Sequence, residues 1–188
     1  MFKGYRMRMK KRIYLILHCE AEGLAFRSKL TSEGRTAAQK LSDFLYDKDV
    51  DLIVSSPFIR ACETAMHVSE RLQLKMIKDI RLSEKVLCTE NAEDWLTMVE
   101  KSFSDLDLTF PGGESSNEAM KRGVIALQDT LLHTGKSAAI ITHSNLLILI
   151  LKHFQKEFGY QHWKALTSPD VYTLEFLSEK PEICRMWN

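Results

Sequence analysis

The chain has 188 residues, 45% of them hydrophobic and 27% charged, with a formal net charge of +1. That is enough for one domain with a full core, and it gives the protein as a whole no electrostatic attraction to nucleic acid or acidic membranes. No stretch approaches the roughly 18 apolar residues that span a bilayer, the longest apolar run being Leu146 to Leu151.

Six basic residues from Lys3 to Arg12 precede the first apolar segment. The segment after them is too short for a signal-peptide core and runs into His18 and Glu20, so residues 1–12 read as a flexible basic arm and 13–188 as one domain. Ile13 to Leu17 has the short, apolar, β-branched character of a buried strand. A polar loop follows to Leu30, and Thr31 is placed to cap a helix running to about Tyr46, with Ala37, Ala38, Leu41, Phe44 and Leu45 on its inner face. Asp51 to Ser55 reads as a second strand, Pro57 as part of the first turn of a helix ending near Leu72, and Lys75 to Lys78 as a short strand.

Asn91 to Phe103 has a helical pattern, and Phe110-Pro111-Gly112-Gly113 breaks the chain. Ser115 or Ser116 can cap a long helix to about His133. Ser137 to Thr142 is the clearest strand, followed by a helix from about Asn145 to Phe154. Val171 to Leu177 and Ile183 to Trp187 alternate well enough to be paired strands. This alternation predicts an α/β fold, a three-layer sandwich with a mostly parallel sheet flanked by helices. The four cysteines lack metal-ligand spacing and read as thiols of a reducing, cytoplasmic setting.

Three strand ends carry unusual polar residues. His18 follows the first strand, Ser55-Ser56-Pro57-Phe58-Ile59-Arg60 follows the second, and His143 follows the strand ending at Thr142. Ligands of open α/β sheets bind beyond the carboxyl ends of the strands. Two histidines and an arginine delivered to one edge suit an anion. Each alone has a plainer reading, a structural histidine or a solvated arginine; their joint position is the signal.

These residues also stand in a familiar order. Ile13 to Glu20 resembles the Arg-His-Gly-Glu strand of the histidine phosphatase superfamily, the phosphoglycerate mutase-like family. Ser55-Ser56-Pro57 with Arg60-Ala61 and Thr64 is similar to its second block, and Leu30-Thr31-Ser32-Glu33-Gly34 to the helix start between them. Arg81-Leu82-Ser83-Glu84 resembles the segment bearing its acid, Pro111-Gly112-Gly113-Glu114-Ser115 its Gly-Glu-Ser loop, and Thr142-His143-Ser144 its late His-Gly. The six blocks cover nearly the whole chain.

The resemblance implies a phosphoglycerate mutase-like fold and a phosphomonoester hydrolase acting through a phosphohistidine. It implies His18 as nucleophile, Arg60 and His143 as holders of the phosphoryl oxygens, and Glu84 as the acid that protonates the leaving oxygen and later activates water. Glu114 is expected to border the substrate mouth. No metal or cofactor is implied. The expected partner is a small phosphorylated substrate, with no nucleic acid or membrane; the sequence specifies no oligomeric state.

The chain departs from the pattern at Leu17, where the family has arginine. Losing one preorganised donor to a charged transition state costs roughly 10²- to 10³-fold in rate. Leu24 replaces an amide side chain, and Cys19 and Ser144 stand in place of glycines. Arg27, on the same loop, is the candidate to restore the charge. A cysteine phosphatase needs an arginine six positions after its cysteine, and Ala25 stands there. A P-loop fails because no Gly-Lys-Ser/Thr follows Gly113. Two readings remain, a weakened phosphatase and an inactive family member that binds a phosphorylated ligand or a protein. A mutase is disfavoured by the few basic residues between Asn91 and Asp107.

Overall fold

In the computed structural model, residues 10–89, 94–178 and 180–187 are described. Six strands form one sheet in the order β3-β2-β4-β1-β5-β6. They are β1 (Lys11–Leu17), β2 (Val50–Ser55), β3 (Met76–Lys78), β4 (Ser137–Thr142), β5 (Asp170–Phe176) and β6 (Glu182–Arg185). The first four run parallel, while β5 is antiparallel to β1 and β6 to β5. The helices are α1 (Ser32–Leu45), α2 (Ile59–Leu72), α3 (Trp95–Ser104), α4 (Ser116–His133), α5 (Ser144–Phe154) and α6 (Tyr160–Lys164).

The two faces of the sheet follow from the alternation of β1, since successive side chains point to opposite sides of a strand. Ile13, Leu15 and Leu17 join Val99, Phe103, Leu127 and the apolar residues of α5 in one core. Tyr14 and Ile16 join Ala38, Leu41 and Leu45 of α1 with Ala61, Ala65 and Val68 of α2 in the other. Two helical layers thus sandwich the sheet. β4 is buried at all six positions because it lies between β1 and β2 with helices on both sides.

The capping residues act as their chemistry suggests. The Thr31 side chain accepts from the Gly34 N–H, and Ser115, not Ser116, caps α4 in a reciprocal capping box with Glu118. Two sequence expectations are corrected. Pro57 precedes its helix: Phe58 is the N-cap with extended backbone, so α2 opens at Ile59. Lys11 and Arg12 belong to β1, where Lys11 donates to the Leu131 carbonyl and Arg12 pairs with Glu175, so the strand starts inside the arm expected to end at residue 12. The short α6 has no counterpart in the sequence reading, because five residues are too few to show a helical period. Residues 1–9 of the basic arm, and 91–93 at the start of the expected middle helix, lie outside the described residues.

Trp95 and Trp163 lie with ring centroids 5.6 Å apart, packed against the larger core. No helix among the described residues is long and apolar enough to cross a membrane.

Candidate active site

The carboxyl ends of β1, β4 and β2 are neighbours in the sheet, so the residues that follow them meet at one edge. His18 leaves β1, with its N–H still donating to the Thr142 carbonyl (3.1 Å). Ser56 leaves β2, held by the Ile141 carbonyl (2.9 Å), and His143 leaves β4 as the N-cap residue of α5. The next turn after Ser56 opens α2 and delivers Arg60 from its first turn.

Arg60 lies across both histidines. Its Nε donates to His18 Nε2 (2.9 Å) and its Nη2 to His143 Nδ1 (3.1 Å). The guanidinium is always a donor, so both of these ring nitrogens present lone pairs. Neutral His18 therefore carries its proton on Nδ1, where it donates to the Cys19 carbonyl (2.7 Å). His143 carries its proton on Nε2, where it donates to Ser56 Oγ (2.7 Å). The remaining nitrogen of Arg60, Nη1, donates to the carbonyls of Leu24 (3.0 Å) and Ala25 (2.9 Å). Every nitrogen of the guanidinium is engaged with protein, and the residue is only 1% exposed.

Burial sets the charges here. It pushes His18 down to about 4, assisted by the Arg60 charge and opposed by the bond to the Cys19 carbonyl. Burial also pushes His143 well below the ordinary histidine value, helped by His18, Arg60 and Arg122. Both imidazoles are therefore neutral at neutral pH. His143 is also packed edge-on against His18 (centroids 5.0 Å apart) and against Phe58 (4.8 Å).

Glu84 follows a single 3-10 turn at Ile80–Leu82. Its carboxylate accepts from Ser144 Oγ (3.2 Å), the Asn145 N–H (3.5 Å) and the Lys85 N–H (2.8 Å). Burial raises its pKa, and those bonds together with the Arg60 charge hold the rise back. Glu84 is thus anchored on the residues directly after His143. The Thr142 hydroxyl adds a bond to the Leu82 carbonyl (2.8 Å), tying the acid's loop to the end of β4.

With two strand-end histidines sharing one buried arginine and a carboxyl beside them, the arrangement can present a neutral nucleophile, a cation and a proton donor. The chain matches the description "Histidine phosphatase superfamily (branch 1)" over residues 13–188. It belongs to that superfamily.

Among its relatives, the protein named "Putative phosphoserine phosphatase 2" from Hydrogenobacter thermophilus is 29% identical over 158 residues, spanning 75% of this chain and 77% of that protein. Solved structures share the fold of these histidine phosphatases at lower identity. A mycobacterial glucosyl-3-phosphoglycerate phosphatase superposes with a TM-score of 0.74 at 19% identity, covering 95% of this chain and 99% of that one. A mutant phosphoserine phosphatase from Entamoeba histolytica, bound to phosphoserine, gives 0.78 at 17% identity, covering 95% and 96%.

Of the residues expected at this superfamily's site, His18, Arg60, His143 and Glu84 come together. Arg27 does not: it is exposed and forms no hydrogen bond or ion pair among the described residues. Glu114 is used otherwise. Its carboxylate takes both Nε and Nη2 of Arg122 (2.9 and 2.6 Å) and the Val86 N–H (3.1 Å). Gly112 and Gly113 allow this, since Gly112 has φ +70 and a Cβ on Gly113 would stand 2.1 Å from the Leu87 carbonyl oxygen. Leu17 is buried in the larger core and offers nothing to an anion. Leu24 turns its side chain outward, 73% exposed, and gives only its carbonyl, to Arg60. Cys19 is buried in the smaller core with its N–H on Thr64 Oγ1 (3.0 Å), and Ser144 supplies the hydroxyl on Glu84.

Sequence reasoning missed Arg122. From α4 it donates to the carbonyls of Arg81 (2.7 Å), Ser83 (2.8 Å) and Glu84 (3.4 Å) while pairing with Glu114, so it braces the loop that carries Glu84. Nothing in a helical charge pattern separates such an arginine from a solvated one. Ser56 was visible in the second block, but its role as acceptor for His143 appears only in three dimensions. No group of three or more His, Cys, Asp or Glu among the described residues is placed to hold a metal ion.

Proposed function

We propose that the protein is a phosphomonoester hydrolase working through a phosphohistidine on His18, slowed by leucine at position 17. The observation that carries this reading is the shared guanidinium of Arg60, which joins His18 Nε2 to His143 Nδ1 beside Glu84. His18 Nε2 attacks phosphorus, and the bond from phosphorus to the ester oxygen breaks. Glu84, protonated, gives its proton to that leaving oxygen. Water then attacks the phosphohistidine, the Glu84 carboxylate takes its proton, and phosphate leaves with His18 neutral again. Arg60, turned from the histidines onto the phosphoryl oxygens, balances their charge together with His143. The likeness to named phosphatases supports the reaction class.

A second reading has its own observation. Arg60 has no unengaged nitrogen, and Leu17 supplies no donor beside His18. A site that satisfies itself in this way suits an inactive family member that binds a phosphorylated ligand or a protein. The deciding experiment is hydrolysis of an aryl phosphate by wild type, His18→Ala and Leu17→Arg. Slow turnover that His18→Ala abolishes and Leu17→Arg accelerates supports the hydrolase. Rates for wild type and Leu17→Arg no higher than His18→Ala would leave the binding role. The expected setting is cytoplasmic, with a small phosphorylated partner.

A further inference from the structure

Among the described residues, five buried side-chain polar atoms have no hydrogen-bond partner, and three of them belong to residues next to Glu84: Ser83 Oγ and Lys85 Nζ, on its two neighbours in sequence, and Asn145 Oδ1, on the residue whose N–H donates to its carboxylate. Lys85 is the notable one. It is 4% exposed, and its whole charged head is unpaired. A buried ammonium without a partner is costly, and the cost is relieved either by losing the proton or by meeting an anion.

The backbone fixes where this happens. The Lys85 N–H is held by Glu84 Oε1 and the next N–H, of Val86, by Glu114 Oε1. Lys85 is thereby clamped between two carboxylates, yet neither of them forms an ion pair with its Nζ. Burial lowers the lysine's pKa, and the charges of Glu114 and Glu84 oppose this. Ser83 and Glu84 are partly exposed residues, although the Ser83 hydroxyl itself is buried. The other cations nearby are committed: Arg60 to the histidines and two carbonyls, Arg122 to Glu114 and three carbonyls.

The geometry points to Lys85, with Ser83, as an oxyanion subsite beside Glu84 that takes over part of the charge neutralisation lost at Leu17. The inference rests on the hydrolase reading and deepens it. Lys85 Nζ and the Ser83 hydroxyl donate to one oxyanion, and Asn145 Oδ1 accepts from a donor carried by the same ligand. The oxyanion is either the phosphoryl group or a carboxylate on the alcohol next to the oxygen that Glu84 protonates.

Two measurements on the full chain separate these sources, each made with wild type, Lys85→Met and Lys85→Arg. Calorimetric titration with inorganic phosphate reads the phosphoryl source. The ratio of kcat/KM for phosphoserine to that for phosphoethanolamine, which differs by one carboxylate, reads the other. That ratio does not depend on the fraction of folded enzyme. One charge-assisted hydrogen bond lost corresponds to roughly 10- to 100-fold. A loss of that size in phosphate affinity for Lys85→Met, restored by adding Leu17→Arg and largely kept by Lys85→Arg, assigns the phosphoryl group. Unchanged phosphate affinity with a ratio that collapses toward one assigns the carboxylate. If Lys85→Met alters neither while wild type hydrolyses aryl phosphate, Lys85 only balances Glu84 and Glu114, and the subsite is wrong. If wild type neither binds phosphate nor hydrolyses any ester, the hydrolase reading fails, and the subsite falls with it.

Discussion

Arg60 Nε and His18 Nε2 are hydrogen-bonded at 2.9 Å, so the lone pair expected to attack phosphorus is occupied by the cation expected to hold the phosphate. The same guanidinium spans to His143 and to the Leu24 and Ala25 carbonyls. In the proposed reaction, substrate binding therefore requires Arg60 to exchange its protein partners for phosphoryl oxygens. Charge-assisted bonds of this kind make the exchange unfavourable unless the phosphate returns comparable bonds.

Arg60→Ala tests that competition directly. Removing the guanidinium frees His18 Nε2 while depriving the phosphoryl group of its cation. Carbethoxylation of His18, followed by mass spectrometry, is expected to be slow in wild type and clearly faster in Arg60→Ala. Aryl phosphate turnover is expected to move the other way, falling by roughly 10²- to 10³-fold. Equal labelling rates in the two proteins would remove the idea that Arg60 masks the nucleophile.

The pH–rate profile follows from the two perturbed groups. His18 is held at about 4, so the proposed nucleophile stays neutral well below the usual histidine range. Glu84 is raised above the ordinary carboxylate value, so it stays protonated to higher pH than an exposed glutamate. The profile of kcat/KM should be bell-shaped, with an acid limb near 4 and not near the ordinary histidine value of about 6.5. The alkaline limb belongs to Glu84. Glu84→Gln should abolish that limb along with most turnover, whereas Ser144→Ala, which removes a bond favouring the carboxylate, should shift it to higher pH.

Stability carries the same signature. His18 and His143 both have folded-state values below their unfolded ones, so the unfolded chain binds more protons than the native one as pH falls. Native stability is then retained above the unfolded histidine value and lost as pH drops from 6.5 toward 4 for His18. Each such histidine contributes about 1.4 kcal/mol per pH unit within its window. Glu84 runs oppositely: its raised value favours the native state at low pH and loses that contribution as pH rises. Urea unfolding across pH 4 to 7 should show a slope shallower by up to one proton in His18→Gln than in wild type. An unchanged slope would mean that His18 titrates normally.

At position 17 activity and stability are expected to oppose each other. Leu17 is buried in the larger core, paired in register with Thr142 on one side and Asp170 on the other. Asp170 is already held by Arg185 at 2.5 Å, so it is not a ready partner for a new cation. Leu17→Arg should raise aryl phosphate turnover by up to about 10²-fold, the range assigned to a single preorganised donor. It should also lower the melting temperature, because a guanidinium enters apolar surroundings. A stable Leu17→Arg protein without any gain in rate would show that the arginine cannot reach the phosphoryl group from β1.

Much of this site was legible before the fold was known. The strand-end placement of His18 and His143 and the arginine in the first turn of α2 depend on local period and strand order, which short apolar runs and helix starts reveal. The sheet order could not be read in the same way, since pairing β1 with β4 joins residues far apart in sequence. The role of Glu114 was equally hidden. Its spacing from Arg122 puts the two on opposite sides of the Ser115 cap, and only the path of the loop from Arg81 to Val86 shows that they close over it. Arg27 stands apart from the four for a simpler reason: it lies exposed on its loop, and no pattern of residues encodes the direction of its side chain.

The brace formed by Arg122 gives the last prediction. Arg122 donates to the Arg81, Ser83 and Glu84 carbonyls while its ion pair fixes Glu114, which in turn holds the Val86 N–H. These bonds all end on the loop around Glu84 and on Glu114, so in the proposed reaction their contribution is to hold Glu84 in place to deliver its proton. Small misplacements of a catalytic group cost up to about 10²-fold. Arg122→Ala should therefore lower kcat by roughly 10- to 100-fold, with KM and phosphate affinity little changed. Glu114→Gln should act in the same direction but more weakly, because an amide oxygen can still accept one bond from Arg122. The double variant should lose less than the product of the two single effects, since both break one network. Multiplicative losses, or a loss confined to KM, would place Glu114 at the substrate mouth instead of in the brace.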